Sequence, residues 1–235
     1  MKERPILFKG EMVRAIQAGH KTQTRRLVTK ATSLAGVPWG WLDFEDAFAD
    51  PGIGSGAYLK TIYRHPEDPP DDATRDRVRC RIAVGDRLWV RETHQIESNR
   101  GAVYEHDPPF SDGRPVKWTD SDDWGRYWSQ CHYRATEPTH DLIDPAAGGE
   151  PGDLGWRPSI FMPRWACRIL LVVKAVRVER LQEISEGDAL AEGVAPDYST
   201  TPREAFAALW ESINAKRAPW SSDPWLWVVE FGVVK

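Results

Sequence analysis

Every apolar run in this chain is of strand length, and that limits what it can fold into. The longest runs, such as Ile169–Val173, stop far short of the roughly 20 residues that cross a bilayer. The clearest of them lies within Arg164–Leu181, where Ile169, Leu171 and Val173 alternate with Leu170, Val172 and Lys174. Both faces are apolar at first, as in a strand covered on two sides, so this segment is expected to run through the centre of a small barrel. The closing stretch Trp225–Val234 alternates too and is expected to complete it.

Helices are short and few in this reading. Met12, Val13 and Ile16 sit at helical spacing between Glu11 and Ala18, and Gly19 stands where a helix-ending glycine belongs. Pro5–Lys9 reads as a strand before it, and His20–Val28 as a turn feeding another. Ser185 with Asp188 makes a capping box for a second, short helix that ends near Gly193. Thr201, Pro202 and Glu204 make a capping box with proline at the first helical position. That third helix places Phe206, Leu209, Trp210 and Ile213 on one face. Val78–Ile82, the Gly85-Asp86 turn and RLWVRE read as a hairpin-like pair of strands, and CHYRATE as a further strand. Elsewhere Gly and Pro clusters interrupt the pattern. The order fits α+β, held as one domain over 1–235 with long loop insertions at about 31–78, 95–130 and 138–156. The first insertion is expected to act as a lid.

Composition excludes several classes. The N-terminal MKERPILFKGEM has no apolar stretch before a cleavage site, so no secretory signal is expected. Cys80, Cys131 and Cys167 are odd in number, with no Cys-x-x-Cys pair. They read as reduced thiols of a cytoplasmic protein with no membrane segment. The six histidines show no metal-protease spacing, and no dinucleotide, P-loop or nucleophile-elbow motif is present, so neither metal nor cofactor is expected. The net charge of −4 argues against bulk electrostatic attachment to nucleic acid. Charge is uneven, however. Residues 1–30 carry eight basic side chains against Glu3 and Glu11, and 156–180 carry six against Glu179. If the two segments meet, they form a local anion-binding face; otherwise they are solvated strand faces.

The most informative run is GHKTQTRR, Gly19 to Arg26. It resembles the signature of the ASCH family, a Gly-x-Lys-x-x-Thr-x-Arg stretch after the first strand and helix. GDRLWVRE, Gly85 to Glu92, is similar to that family's second signature. WRPSIFMPRWACRI and PWLWVVEF look like a long-form subgroup frequent in phage and prophage genomes. The resemblance implies a PUA-like small β-barrel with short flanking helices that handles RNA or modified nucleosides. Some members resemble amidohydrolases acting on N4-acetylcytidine, while others are RNA binders or ribonucleases. Carried over by position, the hydrolase triad falls on Lys21, Thr24 and Glu92.

The chemistry of that trio can be weighed separately. Amide cleavage needs a nucleophile, a proton carrier and a group that holds the oxyanion. Thr24 supplies a hydroxyl. Lys21 acts as a base only if its pKa falls from about 10.4 towards 7, and burial pushes that way. A carboxylate beside it, expected to be Glu92, pushes back. Two states are consistent: a cationic Lys21 with Glu92 carrying the proton, or a neutral lysine base with a protonated Glu92. The plain alternative for each residue alone is a solvated surface group.

Arg25 and Arg26 alternate, so one is expected to face a cleft and contact phosphate or a base edge. Ser159, Met162 and Arg164 lie in a tight loop expected to touch substrate. Tyr133 and Trp156 either stack on a base or pack in the core. The expected ligand is a modified nucleoside or RNA. The alternatives to a hydrolase are a non-catalytic RNA or modified-base binding module and a single-strand ribonuclease.

Overall fold

The computed structural model describes residues 1–28, 42–49, 56–63, 74–98, 112–121, 125–137 and 155–234. In chain order its strands and helices are β1 (Glu3–Leu7), α1 (Gly10–Gln17), β2 (Gln23–Leu27), β3 (Leu42–Ala49), β4 (Gly56–Tyr63), β5 (Thr74–Ala83), β6 (Arg87–Arg91), β7 (His94–Ser98), β8 (Val116–Ser121), β9 (Gly125–Tyr133), β10 (Leu170–Arg180), α2 (Glu186–Ala191), α3 (Pro202–Asn214) and β11 (Trp225–Val233). The content is α+β, mostly strand. Among the described residues the sheets do not close into a barrel, so the expected PUA-like closure is not seen there. No described helix is long and apolar enough to cross a membrane.

The chain forms two compact units. One consists of Met1–Lys2, Gly19–Asp86 and Val172–Gly232. The other consists of Glu3–Ala18, Arg87–Leu171 and Val233–Lys235.

In the first unit β10, β11 and β2 lie side by side in that order. β11 and β2 are antiparallel, with Val229 opposite Thr24 and Glu230 opposite Gln23. Ser185 caps α2 by accepting from the Asp188 backbone N–H, but the expected capping box is only half formed, since the Asp188 carboxylate accepts from the Ser185 hydroxyl. Thr201 and Glu204 form the expected capping box of α3. Phe206 and Trp210 of α3 pack with Leu181, Ile184, Ala189 and Leu226 in the core, whereas Ile213 is exposed. The expected apolar face is therefore narrower than its spacing suggested, because the core ends one turn earlier.

Residues 31–78 are not loop throughout. β3, β4 and β5 make an antiparallel meander, with Phe44 opposite Thr61 and Thr61 opposite Asp76. The Gly- and Pro-rich clusters of the sequence fall between these strands, where they masked the short alternating segments. Residues 29–41, 50–55 and 64–73, which make up the rest of the expected lid, lie outside the described residues.

In the second unit β1 pairs parallel with β6, from Glu3 opposite Arg87 to Leu7 opposite Arg91. The expected hairpin of β5 with β6 does not form, since β5 pairs with β4 instead. Gly85, at φ +85°, turns the chain there, a conformation that favours glycine. The described parts of the expected 95–130 insertion are mostly strand: β7, β9 and β8 form an antiparallel sheet in that order. α1 buries Val13 and Ile16, and Gly19 follows it at φ +76°. Residues 155–168 form a strap bridged to the start of β7, where Arg157 and His94 exchange backbone hydrogen bonds of 2.7 and 3.2 Å. Residues 99–111, 122–124 and 138–154 lie outside the described residues.

Candidate functional site

Lys21 stands two residues after the glycine that ends α1, just before β2. Its backbone makes an antiparallel bridge with Glu192, the residue that caps the C-terminus of α2. The side chain is 2% exposed, and Nζ donates to both the backbone oxygen and Oε2 of Glu192, each at 2.7 Å. Burial pushes the ammonium pKa below its ordinary value. Glu192 opposes that, while the charges of Arg26 and Arg25 add to it.

The next residues of β2 extend this network. Thr24 is 1% exposed, and its Oγ1 accepts from Arg26 at 2.6 Å. Arg25 and Arg26 do alternate, but the inward one meets carboxylates rather than an open cleft. Arg25 donates to Glu179 at 2.8 Å and Glu192 at 3.2 Å, with Asp188 at 3.6 Å. Arg177 of β10 bonds to Glu179, Glu230 and Asp188. Lys21 and Arg25 from the first basic segment and Arg177 from the second therefore share one cluster with Glu179, Asp188, Glu192 and Glu230. With three cations against four carboxylates it is an internally paired network, not an open anion-binding face.

Glu92 lies in the second unit and is 1% exposed. Arg168 grips it as a fork, Nε to Oε1 at 2.9 Å and Nη2 to Oε2 at 2.8 Å, and reaches Thr136 with Nη1. The Glu92 backbone N–H donates to Met162 Sδ at 3.2 Å, so the buried Met162 is a neighbour of that carboxylate residue. The Arg168 guanidinium stacks 3.9 Å from the centroid of Tyr133. Tyr133 is wholly buried and donates its hydroxyl to the Ala166 carbonyl at 2.8 Å, and burial pushes its pKa up. Ser159 opens a short 3₁₀ turn of the strap, Trp156 is half-buried, and the exposed Arg164 pairs with Glu3 at 3.0 Å.

Three residues with chemistry escaped the sequence reading. Glu192 is bonded to Lys21 across 171 residues of chain and Arg168 to Glu92 across 76, separations that no local pattern reveals. A signal for Glu192 existed, since a carboxylate at a helix C-terminus opposes the helix dipole and calls for a cation nearby. The third is His94, wholly buried, with Nδ1 3.3 Å from the Glu92 carbonyl. Burial lowers its pKa against the pull of the Glu92 carbonyl, and the charge of Arg157 adds to the lowering. Nε2 has no hydrogen-bond partner among the described residues.

Cys80, Cys131 and Cys167 form no disulfide, and burial pushes Cys131 up to about 12. His132 sits between two carboxylates, Glu97 at 2.8 Å and Glu137 at 2.9 Å. Among the described residues no group of three or more His, Cys, Asp or Glu is placed to hold a metal ion. Comparison with protein-family models, with curated proteins and with solved structures gives no match to this chain.

Proposed function

We propose that this chain is an ASCH-type protein that handles nucleosides or RNA, acting as a cofactor-free hydrolase on an N-acylated pyrimidine nucleoside. The observation that carries the reading is burial. Lys21, Thr24 and Glu92, the positions matched by the family motif, are 2%, 1% and 1% exposed. Surface lysines, threonines and glutamates are solvated, and ionisable groups are kept in the interior at a cost of several kcal/mol. A lysine whose ammonium is disfavoured by its surroundings is a recurrent feature of working sites. A PUA-like fold belongs to the same proposal, and the β1–α1–β2 order around the motif supports it.

In this reading Thr24 provides the hydroxyl and Lys21 the cationic or basic group, with Glu92 the motif carboxylate. A second reading, a non-catalytic binding module, is favoured by the Arg168 fork, which occupies both oxygens of Glu92. Incubation with N4-acetylcytidine, other acylated nucleosides and short RNAs, followed by mass spectrometry, separates the two. Release of acetate by the parent chain, lost in folded Lys21→Met and Glu92→Gln variants, is the expected result. Binding of a nucleoside or RNA without turnover would replace the hydrolase with the binding module.

A further inference from the structure

We propose that Glu192 is the proton-holding partner of Lys21, so that the acid–base unit of the site is the Lys21–Glu192 pair. The inference rests on the hydrolase reading for its substrate, but not for its geometry. Lys21 Nζ donates to Glu192 Oε2 and to the Glu192 backbone oxygen, both at 2.7 Å, and the two backbones are bridged. That second, backbone bond fixes the ammonium whatever the state of the carboxylate. The side chains are 1% and 5% exposed, so water has little share in setting their charge.

The arrangement answers the conflict posed by the sequence. A buried lysine becomes a base only if its proton has somewhere to go, and here the acceptor is in contact with it. When the proton crosses, the Nζ–H bond breaks and an Oε2–H bond forms. Ammonium becomes amine, carboxylate becomes acid, and the net charge of the pair stays zero. No charge is created in the interior, so the step avoids the cost of an isolated buried ion. The amine can then accept the proton shed by an attacking hydroxyl. Glu192, holding the first proton, is the store from which a leaving amine is later protonated through Lys21.

The surroundings set the balance. Arg25 and Arg26 act on the pair from β2. Glu179 of β10 and Asp188 of α2 are bound to Arg25, and Arg177 of β10 joins those two carboxylates to Glu230 of β11. Arg25 donates to Glu192 Oε1 at 3.2 Å and to Glu179 at 2.8 Å. Its positive charge lies against that Glu192 carboxyl oxygen. Its charge and that of Arg26 press on the Lys21 ammonium from the other side. Glu192 acts through Lys21 and is a positioning residue in this scheme, so its signature lies in pH behaviour.

The test titrates Lys21 in the full chain by NMR of ¹³C-methylated lysines, assigned with Lys21→Arg, in the parent, Glu192→Gln and Glu192→Asp. Circular dichroism checks that each variant is folded. Without the carboxylate, the Lys21 midpoint should move further down, and Glu192→Asp should bring part of the shift back. With N4-acetylcytidine as probe, Glu192→Gln should lower kcat about 100-fold. KM should change little, and the rising limb of the pH profile should move to lower pH. A Lys21 midpoint that stays put or rises in folded Glu192→Gln overturns the pairing, as does a parental kcat and pH profile. If the parent turns over no acylated nucleoside, the hydrolase reading falls while the titration still decides the pairing.

Discussion

Glu92 and Arg168 are joined by two charge-assisted hydrogen bonds, 2.9 and 2.8 Å, around a carboxylate that is 1% exposed. Arg168 also covers Tyr133 and reaches Thr136, so it ties the strand end after β6 to the turn after β9. Breaking such a pair from one side leaves a buried charge alone, at about 3–5 kcal/mol. Arg168→Met should therefore destabilise more than Glu92→Gln, which leaves the arginine with access to solvent. Urea unfolding of the two variants should show that order, and equal midpoints would mean the fork adds little to stability.

What could be read in the sequence was what local chemistry dictates. Gly19 after α1, the Ser185 cap and the Thr201–Glu204 box each depend on residues within a turn of one another, and all three are in place. The strand pairings were not legible. The Gly85 turn suggested that β5 and β6 join, yet β6 finds β1 some 80 residues earlier, because a turn does not say which edge its strands will meet. The buried carboxylate network failed for the same reason. Arg25 looks like any strand arginine until Glu179, Asp188 and Glu192, more than 150 residues away, are packed around it.

Helix α3 offers a test of how narrow its buried face is. Trp210 is 5% exposed, and its Nε1 donates to the Ala218 carbonyl at 2.8 Å, while Ile213 is 42% exposed. Trp210→Ala should cost about 3–5 kcal/mol through the cavity it leaves. Ile213→Ala should fall within about 0.5 kcal/mol of the parent, as exposed substitutions do. A large loss at Ile213 would show that it is covered.

The Thr201 cap can be tested separately from the core. Its hydroxyl accepts from the Glu204 N–H at 3.2 Å, and Glu204 returns a bond to the Thr201 N–H at 2.8 Å. Thr201→Ala should lower stability by about 1 kcal/mol, and Thr201→Ser should restore most of it. Thermal melts of both variants check this.

The two buried histidines of the second unit should pull the pH dependence of stability in opposite directions. Burial works against the His132 imidazolium, but Glu97 and Glu137, one at each ring nitrogen, win and raise its pKa. The folded chain thus holds this proton more tightly than the unfolded one. His132 stabilises fully below the unfolded value of about 6.5 and loses that contribution as pH rises through the higher folded value. His94 is the reverse. Burial and Arg157 lower its pKa, against a weaker pull from the Glu92 carbonyl. Its contribution is present above about 6.5 and is lost as pH falls towards the lower folded value. His132→Gln should therefore flatten the decline of stability above neutrality, and His94→Gln should flatten the decline on the acid side. Denaturant midpoints of the parent and both variants between pH 4 and 9 check the pair. If His132→Gln left the alkaline limb unchanged, the ring would not be the cation that its two carboxylates require.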